Sequence, residues 1–67
     1  MLYQRIKDLR EDADLTQRQI AEILHMHKTT YNRYETGERE PPFHFVIQLA
    51  KFYKVSLDYI AGLTDKR

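Results

Sequence analysis

The sequence predicts an all-α fold, a compact domain of five short helices. Apolar residues recur three and four positions apart along most of the chain, the spacing that places them on one side of a helix. Residues that typically begin or end helices separate these segments, among them Thr16, Gly37 and Ser56. No segment shows the alternation of a strand. Because 42% of the 67 residues are hydrophobic, the chain can form one core, and we interpret residues 1–67 as a single domain.

The first two helices are predicted over residues 2–13 and 17–24. Leu2 opens the apolar side of the first helix, and Thr16 is placed to cap the second with its hydroxyl. Arg10 lies at the edge of the apolar side, so its charge would be partly buried and should have a partner. Glu35, at the edge of the anchored face of the third helix, is the expected partner.

The third helix is predicted over residues 28–35, after a tight turn. At about 100° per residue, Tyr31 and Tyr34 fall on the side that faces the core. The other side carries donors suited to base edges and phosphates. These are Lys28, Thr29, Asn32 and Arg33.

The fourth and fifth helices are predicted over residues 42–53 and 57–61, and residues 64–67 are expected to fray. Phe45 and Phe52 lie off the predicted core side of the fourth helix. They either cover a neighbouring loop or take part in dimerisation, with Tyr59 and Leu63 near the same end. The predicted core side consists of Phe43, Val46, Leu49, Ala50 and Tyr53.

The overall composition is neutral between the possible functions. A net charge of +1 neither indicates nor excludes nucleic-acid binding. The chain has no cysteine, and its longest apolar run, residues 45–47, is far shorter than the roughly 20 residues of a membrane span, so we expect a cytoplasmic protein without a leader or anchor. His25 and His27 lack further ligands in a metal-site spacing. We expect no metal, cofactor, small-molecule ligand or enzymatic activity.

Four segments together resemble the Cro and phage-repressor-like (XRE-like) helix-turn-helix family over nearly the whole chain. They are RIKDLRED, LTQRQIAEIL, TTYNRYETGEREP and IQLAKFYKVSLDYIAGL. The resemblance implies a five-helix fold in which residues 16–37 form the DNA-binding unit. It also implies a sequence-specific transcription regulator.

The resemblance assigns roles to individual residues. Gln17 matches a glutamine that holds a DNA phosphate, so Gln17→Ala is expected to weaken binding to all sequences alike. Thr30 and Arg39 are assigned to the DNA backbone, and Arg10 with Glu35 matches a structural ion pair. The base-reading positions are Lys28, Thr29, Asn32 and Arg33. By their chemistry, Arg33 suits guanine and Asn32 suits adenine, while Lys28 also suits phosphate.

The chain departs from the family pattern at four positions. Asp14, His25 and Lys54 stand where the family usually has glycine, so each is expected to adopt a left-handed backbone. His27 replaces the usual serine cap of the third helix, where its imidazole accepts a hydrogen bond only when neutral.

These observations favour a repressor or other regulator that binds double-stranded DNA as a homodimer on a near-palindromic operator. Family members commonly pair through the loop before helix four and the end of helix five, which places two recognition helices about 34 Å apart. The alternative is a protein-interaction module of the same fold, such as an antitoxin or partner-binding regulator.

Overall fold

The computed structural model of the protein describes residues 3–67, which contain five helices and no strand. The helices are α1 (Gln4–Asp12), α2 (Gln17–Ile23), α3 (Lys28–Thr36), α4 (Phe43–Tyr53) and α5 (Leu57–Ile60). The all-α prediction is confirmed, and the predicted helix ends that can be compared agree to within one residue. Leu2, the predicted start of the first helix, lies outside the described residues.

The core takes one large, fully buried side chain from each helix. α2 packs on α3, α1 packs on α3 and α5, and α4 packs on α5. Phe45 of α4 also packs against Tyr31 and Tyr34 of α3, so both α1 and α4 contact α3. None of the helices in residues 3–67 is long and apolar enough to cross a membrane. The five core side chains are Ile6, Ile20, Tyr31, Leu49 and Ile60.

Side-chain caps begin two of the helices as expected. The Thr16 hydroxyl accepts a hydrogen bond from the Gln19 backbone N–H at 3.1 Å, and the Gln19 side chain accepts from the Thr16 N–H at 2.8 Å. This capping box satisfies two backbone donors at the start of α2. Ser56 caps α5 through the Tyr59 N–H. His27 occupies the cap position of α3, but its side chain makes no capping hydrogen bond.

The predicted core side of α4 is confirmed at Val46 and Leu49, and Ala50 and Tyr53 pack against the core, but the prediction is wrong for two phenylalanines. Phe45 is 2% exposed and packs against two tyrosines of α3, whereas Phe43, predicted to face the core, is 69% exposed. On a helix of about 100° per residue, Phe45, Leu49 and Val46 span about 100°, and Phe43 lies well outside that arc. Because the side chains of α3 approach the Phe45 side of α4, the buried arc is turned toward α3.

The tail at residues 64–67, which the sequence predicts to fray, lies against the domain. The Arg5 guanidinium donates to the carbonyls of Tyr59 and Thr64 and to the Asp65 carboxylate, at 3.1, 2.5 and 2.7 Å. Arg67 forms an ion pair with Asp12 at 2.7 Å. The planar guanidinium groups provide several directed hydrogen bonds to this tail.

Candidate nucleic-acid interface

A four-residue turn joins α2 to α3 and sets the position of the exposed helix. His25 adopts the left-handed backbone with φ of 57°, as expected from its place in the turn. The Met26 N–H donates to the Ala21 carbonyl at 2.9 Å, and the Met26 side chain packs against the core. This turn lets α3 leave α2 at an angle while both helices keep a common apolar side.

α3 has an anchored side and an open side. Tyr31 is fully buried, and the ring of Tyr34 lies 4.8 Å from that of Phe45. Lys28, Thr29 and Arg33 are exposed, and within residues 3–67 their side chains make no hydrogen bond or ion pair. Three donor-bearing side chains are therefore free for an external ligand on a helix whose other side is fixed.

The expected pair of Arg10 and Glu35 connects α1 to α3. Arg10 Nε lies 2.9 Å from Glu35 Oε2, and Arg10 Nη2 lies 3.0 Å from Glu35 Oε1. Arg10 also donates to the Leu15 carbonyl at 2.8 Å, which ties the corner after α1 to the same guanidinium. The Glu35 carboxylate is almost fully buried, and this bidentate geometry fixes its plane.

Burial opposes the ionised form of Glu35, but the opposing interactions are stronger. Hydrogen bonds from Arg10 and Gln17 stabilise the carboxylate, so the pKa of Glu35 lies below its ordinary value. The pKa of Arg10 is raised by its hydrogen bond to Glu35. Both groups are therefore charged at neutral pH.

Gln17 extends this pair to the open side of α3. Its Nε2 donates to Glu35 Oε1 at 3.2 Å, and its Oε1 accepts from Asn32 Nδ2 at 3.1 Å. Gln17 and Asn32 are both half-buried, in contrast to the exposed Lys28, Thr29 and Arg33. Sequence reasoning assigned Gln17 and Asn32 separate roles, and the structure joins them in one hydrogen-bonded chain.

Thr30 and Arg39 lie at two edges of this surface. Thr30 is half-buried and lines a cavity of about 310 Å³ beside the turn and α4. Arg39 is exposed in the loop after α3, and its backbone N–H donates to the Arg33 carbonyl at 3.1 Å. The loop is therefore held against the end of α3, close to Arg33.

The four residues predicted for a dimer interface have different environments. Phe45 belongs to the core and offers no surface for a partner. Phe52 is 40% exposed, and its ring meets Tyr53 edge-on at 5.0 Å. Tyr59 is half-buried, with the guanidinium carbons of two arginines 4.2 and 5.4 Å from its ring centre. Leu63 is 78% exposed.

An apolar groove between α4 and α5 was missed by sequence reasoning. Its cavity is about 360 Å³, and Phe43 and Leu57 are its exposed apolar members. The signal was present in the sequence as two large apolar residues at the first positions of two helices, where a neighbouring helix often fails to cover them. The full lining is Tyr3, Pro41, Phe43, Val46, Leu57, Asp58 and Ala61.

The two turn histidines, His25 and His27, are both exposed. In the part of the chain that the structure describes, no three His, Asp or Glu side chains are grouped as metal ligands would be. His25 has the left-handed backbone of the turn, and His27 precedes α3 without a side-chain hydrogen bond to it.

Comparison with known proteins gives a consistent result. The family model described as helix-turn-helix matches residues 6–60. The chain is 43% identical over 65 residues to YobD of Bacillus subtilis, named an uncharacterized HTH-type transcriptional regulator, and this covers 97% of the chain and 58% of YobD. It is 40% identical over 57 residues to the cryptic phage CTXphi transcriptional repressor RstR of Vibrio cholerae, which covers 85% of the chain and 51% of RstR.

A third relative is the HTH-type transcriptional regulator ImmR of Bacillus subtilis, 34% identical over 61 residues, with 91% of the chain and 48% of ImmR covered. The chain thus spans about half the length of these curated relatives. All three are named transcriptional regulators or repressors, and none is named an enzyme.

Proposed function

The chain belongs to the helix-turn-helix family, and we propose that it is a sequence-specific DNA-binding repressor that acts as a homodimer on a near-palindromic operator. The open side of α3 carries the proposal. Lys28, Thr29 and Arg33 project from a helix that Tyr31 anchors in the core. Arg and Lys suit guanine and phosphate, and Thr suits the methyl group of thymine.

The flanking residues fit contacts to the DNA backbone. Gln17 at the start of α2 is hydrogen-bonded to Asn32, Thr30 follows Thr29 on α3, and the Arg39 N–H donates to the Arg33 carbonyl. Contacts from these positions to phosphates would fix the register on the duplex. A protein that binds DNA in this way acts in the cytoplasm or another compartment that holds DNA.

The dimer is assigned to the α4–α5 groove rather than to Phe45 and Phe52. Phe43 and Leu57 line this groove, and the Leu63 N–H donates to the carbonyl of Asp58, which also lines it. Phe43, Leu57 and Leu63 are all exposed: Phe43 begins α4, Leu57 begins α5 and Leu63 follows its end. Pairing of two copies there would cover them and set two α3 helices on one face of the duplex.

Selection of bound sequences from random double-stranded DNA tests the proposal. We expect a two-fold-symmetric motif whose half-sites are centred about one helical turn, roughly 34 Å, apart. A single asymmetric half-site would contradict the dimer, and no enrichment would favour the protein-interaction alternative. The salt dependence of binding also distinguishes DNA binding from the protein-interaction alternative. An affinity for DNA that depends on several phosphate contacts falls steeply as the salt concentration rises, whereas the affinity of an apolar protein contact hardly changes.

Arg33→Ala tests base reading directly. It should weaken operator binding by roughly 1 to 3 kcal/mol and relax sequence preference at one base pair, because the side chain is free and exposed on α3. Lys51→Ala is the matched control, since it removes the same charge from an exposed position on α4. Equal losses on operator and random DNA for Arg33→Ala would refute its role.

A further inference from the structure

A chain of three side-chain contacts runs from the buried ion pair to the DNA-facing side of α3. Glu35 is held by Arg10, Gln17 Nε2 donates to Glu35, and Asn32 Nδ2 donates to Gln17 Oε1. Every hydrogen bond in this chain points the same way, toward the carboxylate. Glu35 is 5% exposed, whereas Gln17 and Asn32 reach the surface.

The direction of this chain follows from the chemistry of Glu35. An ionised carboxylate only accepts hydrogen bonds, so Gln17 must turn its NH₂ group toward Glu35 and its carbonyl oxygen away. Asn32 must then turn its own NH₂ group toward that oxygen. The reversed orientation of Asn32 would place two carbonyl oxygens against each other, without a hydrogen bond between them.

Asn32 keeps the groups needed to read a base after this contact is made. One of its two Nδ2 hydrogens is donated to Gln17, and the second hydrogen and the Oδ1 atom remain. A donor beside an acceptor matches N7 and the N6 amino group of adenine in the major groove. Gln17 likewise keeps one Nε2 hydrogen that suits a DNA phosphate.

We propose that Gln17 is a positioning residue for base recognition: it transmits the fixed orientation of the Glu35 carboxylate to the amide of Asn32, and so favours adenine at the base pair that Asn32 reads. The proposal rests on the proposed function. It replaces the expectation that loss of Gln17 weakens binding to all sequences alike, because a residue that orients a base-reading amide also affects discrimination.

Competition binding tests the proposal with the selected operator and all its single base-pair variants. The proteins are wild type, Asn32→Ala, Gln17→Met, the double variant and Arg39→Ala. Methionine keeps the length of the Gln17 side chain and removes its amide, both the NH₂ group and the carbonyl oxygen. Arg39→Ala is the matched control because it removes a proposed backbone contact outside the chain of Glu35, Gln17 and Asn32.

Asn32→Ala should abolish discrimination at one base pair of each half-site, on the order of 10- to 100-fold in wild type. Gln17→Met should lower discrimination at that same base pair at least several-fold. In the double variant, Gln17→Met should cause no loss of discrimination beyond that of Asn32→Ala alone. Arg39→Ala should lower affinity for every sequence by one common factor.

Three results would count against the proposal. A uniform loss for Gln17→Met, like that of Arg39→Ala, would reduce Gln17 to a phosphate contact. Unchanged preference in Asn32→Ala would show that Asn32 reads no base, although the proposed function would stand because wild type had selected an operator. Failure of wild type to enrich any sequence would remove the proposed function and this proposal together.

A second measurement needs no DNA. In the free wild-type protein, the side-chain NH₂ protons of Asn32 should exchange with solvent more slowly than those of the exposed Gln48, as followed by NMR. Gln17→Met, or Gln17→Ser if methionine disturbs the fold, should remove this protection. Equal exchange in wild type and variant would overturn the positioning role.

Discussion

At the scale of single residues, three side chains occupy backbone conformations that favour glycine. Asp14, His25 and Lys54 have φ of 57°, 57° and 58°, which confirms the expectation from the departures in sequence. A left-handed backbone brings Cβ close to the following carbonyl and costs about 1 to 2 kcal/mol, least for Asp, Asn and His. The ends of α1, α2 and α4 are therefore strained.

Glycine at each of these positions should raise the melting temperature. The gain is opposed by the greater freedom of glycine in the unfolded chain, about 0.4 to 1 kcal/mol. Lys54→Gly should show the largest gain, a few degrees, because lysine is the least suited of the three to this conformation. Circular dichroism melts measure the effect, and Glu11→Gly in α1 should lower the melting temperature. A lower melting temperature for all three glycine variants would contradict this account.

The charge of Glu35 links stability to pH. Its pKa is lowered in the folded protein, so its contribution is fully present above the ordinary value of 4.5 and is lost as pH falls through the lower folded value. Glu35→Gln should lower the free energy of unfolding at pH 7 by about 1.5 to 3 kcal/mol, the range for hydrogen bonds to a charged group. Urea unfolding at pH 7 and at pH values below 4.5 should show the difference from wild type shrinking. A constant difference would indicate that the carboxylate charge is not responsible.

At the scale of helices, the residue at the cap position determines how well the start of each helix is stabilised. Thr16 and Gln19 form the reciprocal contacts of a capping box at α2. His27 stands at the equivalent position of α3 without a side-chain cap, so the first N–H groups of α3 are left to solvent. α3 is therefore the less stabilised of the two helices at its start.

Substitutions at the two cap positions should change the stability of the domain in opposite directions. His27→Ser supplies a short hydroxyl to α3 and should stabilise the domain by about 0.5 to 1 kcal/mol, whereas Thr16→Ala should destabilise it by about 1 kcal/mol. Urea unfolding at neutral pH measures both. Stabilisation by Thr16→Ala, or destabilisation by His27→Ser, would show that these caps do not determine helix stability.

At the scale of the whole molecule, the rotation of α4 about its axis determines which of its side chains are buried. Phe45 packs on Tyr34 in the core, and Phe43 lies open in the α4–α5 groove. Sequence spacing supplies relative angles around a helix, but not the direction from which its neighbours approach. Because α3 approaches the Phe45 side of α4, Phe43 is left exposed in the groove proposed for dimerisation.

Phe43→Ser should therefore weaken dimerisation and leave the fold intact. Phe45→Ala should instead destabilise the domain by about 3 to 5 kcal/mol, because it leaves a cavity in the core. Sedimentation of the purified protein, together with melts, distinguishes the two effects. Phe52→Ser is the matched control, since Phe52 is 40% exposed outside the groove and should alter neither property strongly. Loss of the dimer with Phe52→Ser alone would move the interface to that side of α4.

The sequence by itself determined the five helices, the capped starts of α2 and α5, and the side of α3 that carries Lys28 and Arg33. These features depend on residues within a few positions of each other, where helix geometry and capping chemistry are decisive. Only the tertiary structure decided the rotation of α4, the folding back of residues 64–67 and the contact between Gln17 and Asn32. Each depends on which residues distant in sequence meet in the fold: Gln17 of α2 accepts from Asn32 of α3 and donates to the Glu35 carboxylate, which Arg10 of α1 holds.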